Sequence, residues 1–296
     1  MSLRNPRAGV RGRAGSILRG IRDRLLLYAE RYLKISAVFY RLWVVTFTGP
    51  PYFRIIFREM VKQVYFTAVQ GGYILIFAAL MLGMQIILNA NEQLVKVRYE
   101  DFLGWLLVTI VIRELGPVLA GFFVLVHSAG PITVEIGTMS VTREVDALQV
   151  MGVDPYRYLG VPRFWGVTVS VVCLYLVTAH AAVLGGYLFS RLYADISWTN
   201  FRNLFINALQ WVDLLVGLIK AAMFGMIIST VAIFAGFEAH GDLGEVAKKT
   251  AQGALWSLVL CGAMDIIITT AYYLYSPSRP RFPLGGLERL TSFGLC

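Results

Sequence analysis

Charged residues fall inside apolar segments long enough to cross a membrane, among them Arg113, Glu114, Lys220 and Asp265. A charge at the centre of a bilayer costs at least about 2.5–3.5 kcal/mol, so each must face protein or a water-filled cavity. Paired with one another such charges are architecture; lining a path, they gate a substrate or relay an ion. Arg113 and Glu114 lie about eleven or twelve residues, roughly 17 Å, from the outer end of their segment, near the midplane. Consecutive helical residues point about 100° apart, which predicts different neighbours for the two, one lining a cavity and the other pairing with another helix. Gly116-Pro117 follows at once, and a proline removes a backbone hydrogen bond and kinks the helix one turn above it. Lys220 and Asp265 fall within about 4 Å of one depth in a 30 Å core, which predicts a Lys220–Asp265 ion pair.

The elements that position these charges follow from composition. The 296 residues are 57% hydrophobic and 15% charged, against about 45–50% and 25% for a soluble domain. Five segments, 66–90, 102–127, 164–190, 211–237 and 251–275, reach the roughly 20 residues that cross 30 Å of hydrocarbon. The expected fold is an all-α integral membrane protein with five transmembrane helices preceded by amphipathic membrane-surface helices. Arg41 interrupts the apolar run near 37–48, and the N-terminus lacks the pattern of a cleavable signal, so it is expected to be retained.

Thirteen Lys and Arg lie in residues 1–65 and five more in the connections 128–163 and 238–250, against seven in the opposite connections and C-terminal tail. This bias predicts a cytoplasmic N-terminus and an extracytoplasmic C-terminus. Two stretches, 17–34 and 52–65, alternate basic and apolar residues at helical spacing, as helices lying in the headgroup plane do, while residues 1–16 read as a solvated basic tail. The net charge of +9 sits mostly beside the first span, where membrane topology accounts for it and nucleic acid does not.

The connection after the second span carries its own pattern. Val141, Val145 and Leu148 form an apolar stripe, with Arg143, Glu144, Asp146 and Gln149 largely on other faces. Gly152 can end this helix and Asp154-Pro155 can cap and open the next. A short cytoplasmic helix of this kind suits docking to a soluble partner.

The blocks Arg113-Glu114-Leu115-Gly116-Pro117-Val118, Glu135-Ile136-Gly137-Thr138-Met139, Asp146-Ala147-Leu148, Met151-Gly152-Val153-Asp154-Pro155 and Pro162-Arg163-Phe164-Trp165 together resemble the MlaE permease family, the membrane subunits of bacterial ABC lipid transporters associated with MCE proteins. The resemblance runs from about residue 54 to 275, with Lys220 and Asp265 in the family's order. It divides the chain into a basic N-terminal extension at 1–50, a permease domain at 51–275 and a short extracytoplasmic tail at 276–296. It implies a multi-pass protein of the bacterial inner membrane that pairs with a second copy of itself around a lipid cavity, here bordered by Leu75, Ala79, Leu82 and Ile86. It also implies a cytoplasmic ABC ATPase dimer docked on 138–152, through Thr138, Val141, Arg143, Glu144, Val145, Asp146 and Leu148, and a periplasmic MCE-domain protein. The implied cargo is glycerophospholipid moving between the inner membrane and the MCE carrier to maintain outer-membrane lipid asymmetry. Two departures bear on the cavity: His127 stands where the family usually has arginine, and Ile87-Leu88-Asn89-Ala90 replaces a more glycine-rich end of the first span.

No Gly-Lys dipeptide occurs in the chain, so a phosphate loop is absent, and ATP and Mg²⁺ belong to the partner ATPase. His127, His180 and His240 are scattered, and no metal site, cofactor or nucleophile motif emerges. Three classes stay open at this point: an ATPase-driven lipid permease, an ion- or proton-coupled secondary transporter built on the four intramembrane charges, and a non-transporting scaffold. Internal repeats with paired broken helices, which the second would favour, are not visible.

Overall fold

The computed structural model describes residues 7–48, 53–94, 107–193 and 197–275, and all the long elements among them are helices. The chain forms two units, Met1–Gly49 and Pro50–Cys296. The first is a single helix, α1 (Arg7–Thr48). Helix was expected only over 17–34, with a solvated tail before it. Pro6 precedes the helix and Gly49-Pro50-Pro51 follows it, whereas no proline lies between, so the chain has no strong stop inside the run. The C-terminal tail 276–296 lies outside the described residues.

The second unit begins with α2 (Phe53–Val64), continues through a wide π-type stretch at Tyr65–Gln70 and enters α3 (Gly72–Leu94). The second membrane helix is a rod in four pieces: a π-type stretch Leu107–Leu115, α4 (Gly116–Val124), a second wide stretch Leu125–Ala129 and α5 (Gly130–Val141). Then come α6 (Glu144–Val150), a wide turn at Tyr156–Gly160, α7 (Val161–Tyr193), α8 (Trp198–Ala208), α9 (Trp211–Phe237) and α10 (Leu243–Tyr275). The five runs that can cross a membrane are Gly72–Asn89, Val108–Val141, Tyr156–Leu192, Trp211–Phe237 and Leu243–Tyr275.

Three of the expected spans are longer here. The second was expected to stop at 127, yet the rod continues past Gly130-Pro131 to Val141. The fifth starts at Leu243 rather than 251 because Glu245, Lys248 and Lys249 occupy its first turns as helix, not loop. α8 was not anticipated; its Trp198 and Phe201 pack on Tyr187 at 4.6 and 5.4 Å between ring centroids.

Pro117, Pro131 and Pro162 each stand two residues after a wide stretch ends. A proline cannot donate to the preceding turn and its ring crowds a carbonyl there, and widening that turn relieves the crowding. In a wide turn the carbonyl that Pro117 leaves without a donor is Ile112's. Tyr175 on α7 supplies the missing hydrogen bond, its Oη donating to Ile112 O at 3.1 Å. The Tyr175 ring fits because Gly116 and Gly217 leave room on either side.

α9 is the central element, buried at Val216, Gly217, Lys220, Phe224, Ile228 and Ile233, and it packs against α4, α5, α7 and α10. α3 lies on α7 through two glycines: a Cβ on Gly83 would collide with the Ala182 carbonyl, and one on Gly185 with the Leu80 carbonyl. The outer faces of α3 (Tyr73, Ile74, Phe77) and α10 (Leu255, Val259, Ile266) are apolar and uncovered within the subunit.

Gly185→Leu is expected to cost about 1–3 kcal/mol through overpacking against backbone. Gly262→Ala, where an added Cβ meets nothing, is the control and should leave the melting temperature in detergent unchanged or raised. Tyr175→Phe should cost about 1–3 kcal/mol by orphaning the Ile112 carbonyl; an unchanged melting temperature would show that the carbonyl has another donor.

Candidate functional site

The intramembrane charges converge on one cluster. The Lys220 side chain is wholly buried (0% exposed), and an ammonium has three N–H donors to satisfy. Lys220 Nζ lies 2.5 Å from Glu114 Oε2, 2.8 Å from Thr269 Oγ1 and 2.9 Å from Asp265 Oδ1. The pair expected from depth is therefore present, and Glu114 joins it. The Asp265 contact is a close ion pair rather than an aligned hydrogen bond. Thr269 Oγ1 also donates to Glu114 Oε2 at 3.3 Å.

Arg113 extends the network on the other side of Glu114. Its Nε donates to Glu114 Oε1 at 3.2 Å, its Nη2 to the Tyr273 hydroxyl at 2.6 Å, and its Nη1 stands 3.8 Å from Asp213 Oδ1. The guanidinium lies over the rings of Tyr272 and Tyr273, 4.8 and 5.0 Å from their centroids, a contact worth about 0.5–2 kcal/mol. Tyr272 Oη closes the ring of contacts by donating to Asp213 Oδ1 at 3.4 Å.

The expectation that Arg113 and Glu114 meet different neighbours is corrected by this geometry. Both reach α9, at Asp213 and Lys220 respectively. Long side chains let the two residues converge although their backbone directions diverge, and Asp213 and Lys220 lie two turns apart on one face of α9. Asp213, Thr269, Tyr272 and Tyr273 were not singled out from the sequence. Asp213 could have been found by its seven-residue spacing from Lys220; the two tyrosines lay too close to the end of an apolar segment to stand apart from interfacial aromatics.

The cluster has an open edge. The Glu114 and Asp265 side chains remain 30% and 25% exposed, whereas Arg113 and Asp213 are buried. Asp265 also ends an apolar cleft of about 280 Å³ between α4, α9 and α10, walled by Leu119, Phe122, Phe224, Ile228 and Leu258. The expected cavity wall is different. Ala79 and Leu75 are buried in the subunit's own core and Leu82 and Ile86 are partly covered, so this face of α3 is turned inward rather than toward a cavity. An all-round apolar helix gives no periodicity from which to choose the covered face.

The expected docking helix 138–152 is broken in two. Thr138 and Val141 belong to the last turns of α5, Arg143 takes a left-handed conformation with φ 60°, and α6 starts at Glu144. Val145 is buried and Leu148 partly so, while Glu144 and Asp146 are exposed. α6 ends in a Schellman motif: Gly152, at φ 78°, donates N–H to Gln149 O at 2.9 Å, and Val153 to Leu148 O at 3.0 Å. Asp154 Oδ1 accepts from the Tyr156 N–H at 3.0 Å, capping the next turn as expected. At the C-terminal end of α6 the chain exposes Val150 and Met151, at 89% and 69%.

His127 stacks between Phe66 and Phe123, at 5.2 and 5.4 Å, and so joins the stretch after α2 to the second membrane helix. Among the described residues no group of three or more His, Cys, Asp or Glu could hold a metal ion.

The MlaE permease family model matches residues 60–271, which contain Arg113, Glu114, Asp213, Lys220, Asp265 and Thr269 and stop just short of Tyr272 and Tyr273. The MlaE permease protein of the intermembrane phospholipid transport system of Haemophilus influenzae is 28% identical over 76% of this chain and 87% of its own length. A probable ABC transporter permease protein of Rickettsia bellii is 28% identical over 87% of this chain and 98% of its own. The chloroplastic protein trigalactosyldiacylglycerol 1 of Arabidopsis thaliana is 24% identical over 74% of this chain and 63% of its own. With the family model covering well over half its length, the chain belongs to the MlaE permease family.

Proposed function

We propose that this chain is the membrane-spanning subunit of an ATP-driven phospholipid transporter. The observation that carries this reading is the charge cluster whose carboxylate edge, Glu114 and Asp265, opens beside an apolar cleft. Exposed carboxylates inside a bilayer need water, a polar ligand or another chain. A phospholipid meets both halves of such a site, its headgroup at the charges and an acyl chain along the cleft. The name of the Haemophilus influenzae relative supports a phospholipid as cargo.

In this reading two copies pair through the uncovered apolar faces of α3 and α10, which enclose the cleft and remove exposed surface from lipid. An ABC ATPase dimer, carrying ATP and Mg²⁺, docks on the α6 side, with Glu144 and Asp146 as charged contacts and Val150 and Met151 as apolar anchors. A periplasmic MCE-domain protein receives or delivers lipid at the opposite face, in exchange with the inner membrane and in the service of outer-membrane lipid asymmetry. The excess of Lys and Arg supports a cytoplasmic N-terminus and α6. α2, with its basic and apolar faces, is suited to the headgroup layer. The domain division at 1–50, 51–275 and 276–296 belongs to the same proposal.

An ion-coupled secondary transporter is the second reading, favoured by the same partly exposed carboxylates. Liposomes containing the chain, its ATPase and a fluorescent phospholipid separate the two. ATP-dependent lipid movement supports the first; movement that follows a pH gradient without ATP supports the second. Glu114→Gln should lower ATP-dependent lipid movement about tenfold or more, equivalent to 1.4 kcal/mol of lost stabilisation, with the protein still folded because Lys220 keeps Thr269 and Asp265. Unchanged transport would remove the cluster from the path.

Lys220→Met should be the most damaging single change in the cluster, about 3–5 kcal/mol, because it strands two carboxylates. Adding Asp265→Leu should restore part of that stability; no recovery in the double variant would mean that the pair contributes nothing of its own. On the other side of the subunit, Glu144→Lys combined with Met151→Asp should reduce co-purification of the ATPase and its stimulation by the permease. Full association in that variant would move the docking surface elsewhere.

A further inference from the structure

We propose that the subunit holds a headgroup site for a zwitterionic, amine-bearing phospholipid in the leaflet on the α6 side of the bilayer. The site is a cavity of about 440 Å³ between α2, α5 and the beginning of α7. It is separate from the charge cluster and from the cleft beside it, and it does not depend on the transport reading.

Depth places the cavity among headgroups. Glu135, in its wall, stands roughly 31 Å along the second membrane helix from Glu114. The cluster itself lies roughly 14 Å inside the Trp211 end of α9 and the Tyr275 end of α10. Together these lengths come to about 45 Å, the thickness of a bilayer including both headgroup layers. A cavity at that level is met first by lipid headgroups.

The lining selects the charge type. Two cations and two acids surround the opening as matched pairs: Lys62 Nζ to Glu59 Oε1 at 2.6 Å, and Arg163 Nη2 to Glu135 Oε1 at 2.6 Å. Their formal charges cancel, as do those of a phosphate and an ammonium joined by a short linker. Lys62 and Arg163 suit the phosphate, while Glu59 and Glu135 suit the ammonium. An anionic headgroup would meet two carboxylates with no cation to pair with them. Arg163 is already oriented, being mostly covered and donating through Nη1 to the Leu159 carbonyl at 3.2 Å. Both acids and Lys62 are substantially exposed, and exposed pairs contribute little to stability, so exchanging them for a ligand's charges costs little. Phe66 and Met139 in the same wall offer apolar surface to the glycerol and the first acyl carbons.

The test is native mass spectrometry of the full-length chain in detergent, titrated separately with phosphatidylethanolamine and phosphatidylglycerol. Wild type should retain one phosphatidylethanolamine with about tenfold preference over phosphatidylglycerol. Glu59→Gln/Glu135→Gln, which leaves the wall with two uncompensated cations, should reverse that order, whereas Glu114→Gln should not. A melting temperature close to wild type confirms that the double variant is folded. Equal retention of the two lipids by wild type, or a preference that the double substitution leaves unchanged, would overturn the proposal. Displacement of the bound lipid by soluble glycerophosphoethanolamine at matching concentration would also overturn it, assigning the cavity to a soluble amine phosphate. Neither result touches the transport reading, whose readout is ATP-dependent lipid movement and its loss in Glu114→Gln.

Discussion

The membrane part of this protein is arranged around one ammonium group that has no access to solvent. Lys220 must be satisfied by protein, and it donates to Glu114 and Thr269 and forms an ion pair with Asp265, on two different helices. That requirement fixes the second, fourth and fifth membrane helices at a common level. It also explains why Arg113 is tolerated next door, since Glu114 divides its two oxygens between the cations and Asp213 provides a further negative charge. Buried ion pairs are poor sources of net stability compared with apolar packing, because desolvation cancels most of the attraction. Two buried cations among three acids are therefore weakly explained as glue, which is why the proposed function rests on the open carboxylate edge.

Proline placement follows the same constraint. Pro117 stands three residues after Glu114, and the wide stretch that ends at Leu115 contains both Arg113 and Glu114. Wide helical turns often mark functional sites because they alter the direction of the side chains they carry. Here the stretch also frees the Ile112 carbonyl, and Tyr175 must be exposed to it across a gap that Gly116 and Gly217 keep open. The charges, the proline, the tyrosine and the two glycines form one local solution, in which changing any member leaves another without a partner or without room.

Much of this was legible in the sequence, and the parts that were not share a physical cause. Lys220 and Asp265 could be paired from depth alone, because helix rise is constant and the apolar segments have definite ends. Gly152 and Asp154-Pro155 announced their roles, because a left-handed turn and a helix cap each demand few residue types. The covered face of α3 could not be read. Leu75 and Ala79 turned inward where the opposite was expected, in a helix whose apolar residues surround it and whose packing is decided by Gly83 and Gly185 meeting backbone on the neighbouring helix. The break at Arg143 was also hidden: arginine has no special liking for a left-handed conformation, and the apolar stripe from Val141 through Leu148 continues in the sequence across a helix that does not.

The second membrane helix connects the two ends of the proposed machine, and its construction limits how a signal could travel along it. Arg113 and Glu114 lie in its first wide stretch; α5 reaches α6 at its far end through the Arg143 break. A regular helix moves as a rod. A wide stretch holds one extra residue in a turn, so converting it to a regular turn rotates everything beyond by about 100° and advances it by about 1.5 Å. The stretch at Leu125–Ala129 lies between the two ends and is tied to the segment after α2 by the buried contact of Ser128 with Thr67 at 2.8 Å and by the Phe66–His127 stack. A pull on α6 that reached Glu114 would have to pass this clamped turn, either by moving the α2 end with it or by breaking those contacts. The His127 region thus lies between α6 and the charge cluster, where relative movement would have to disturb a stack and one buried hydroxyl pair.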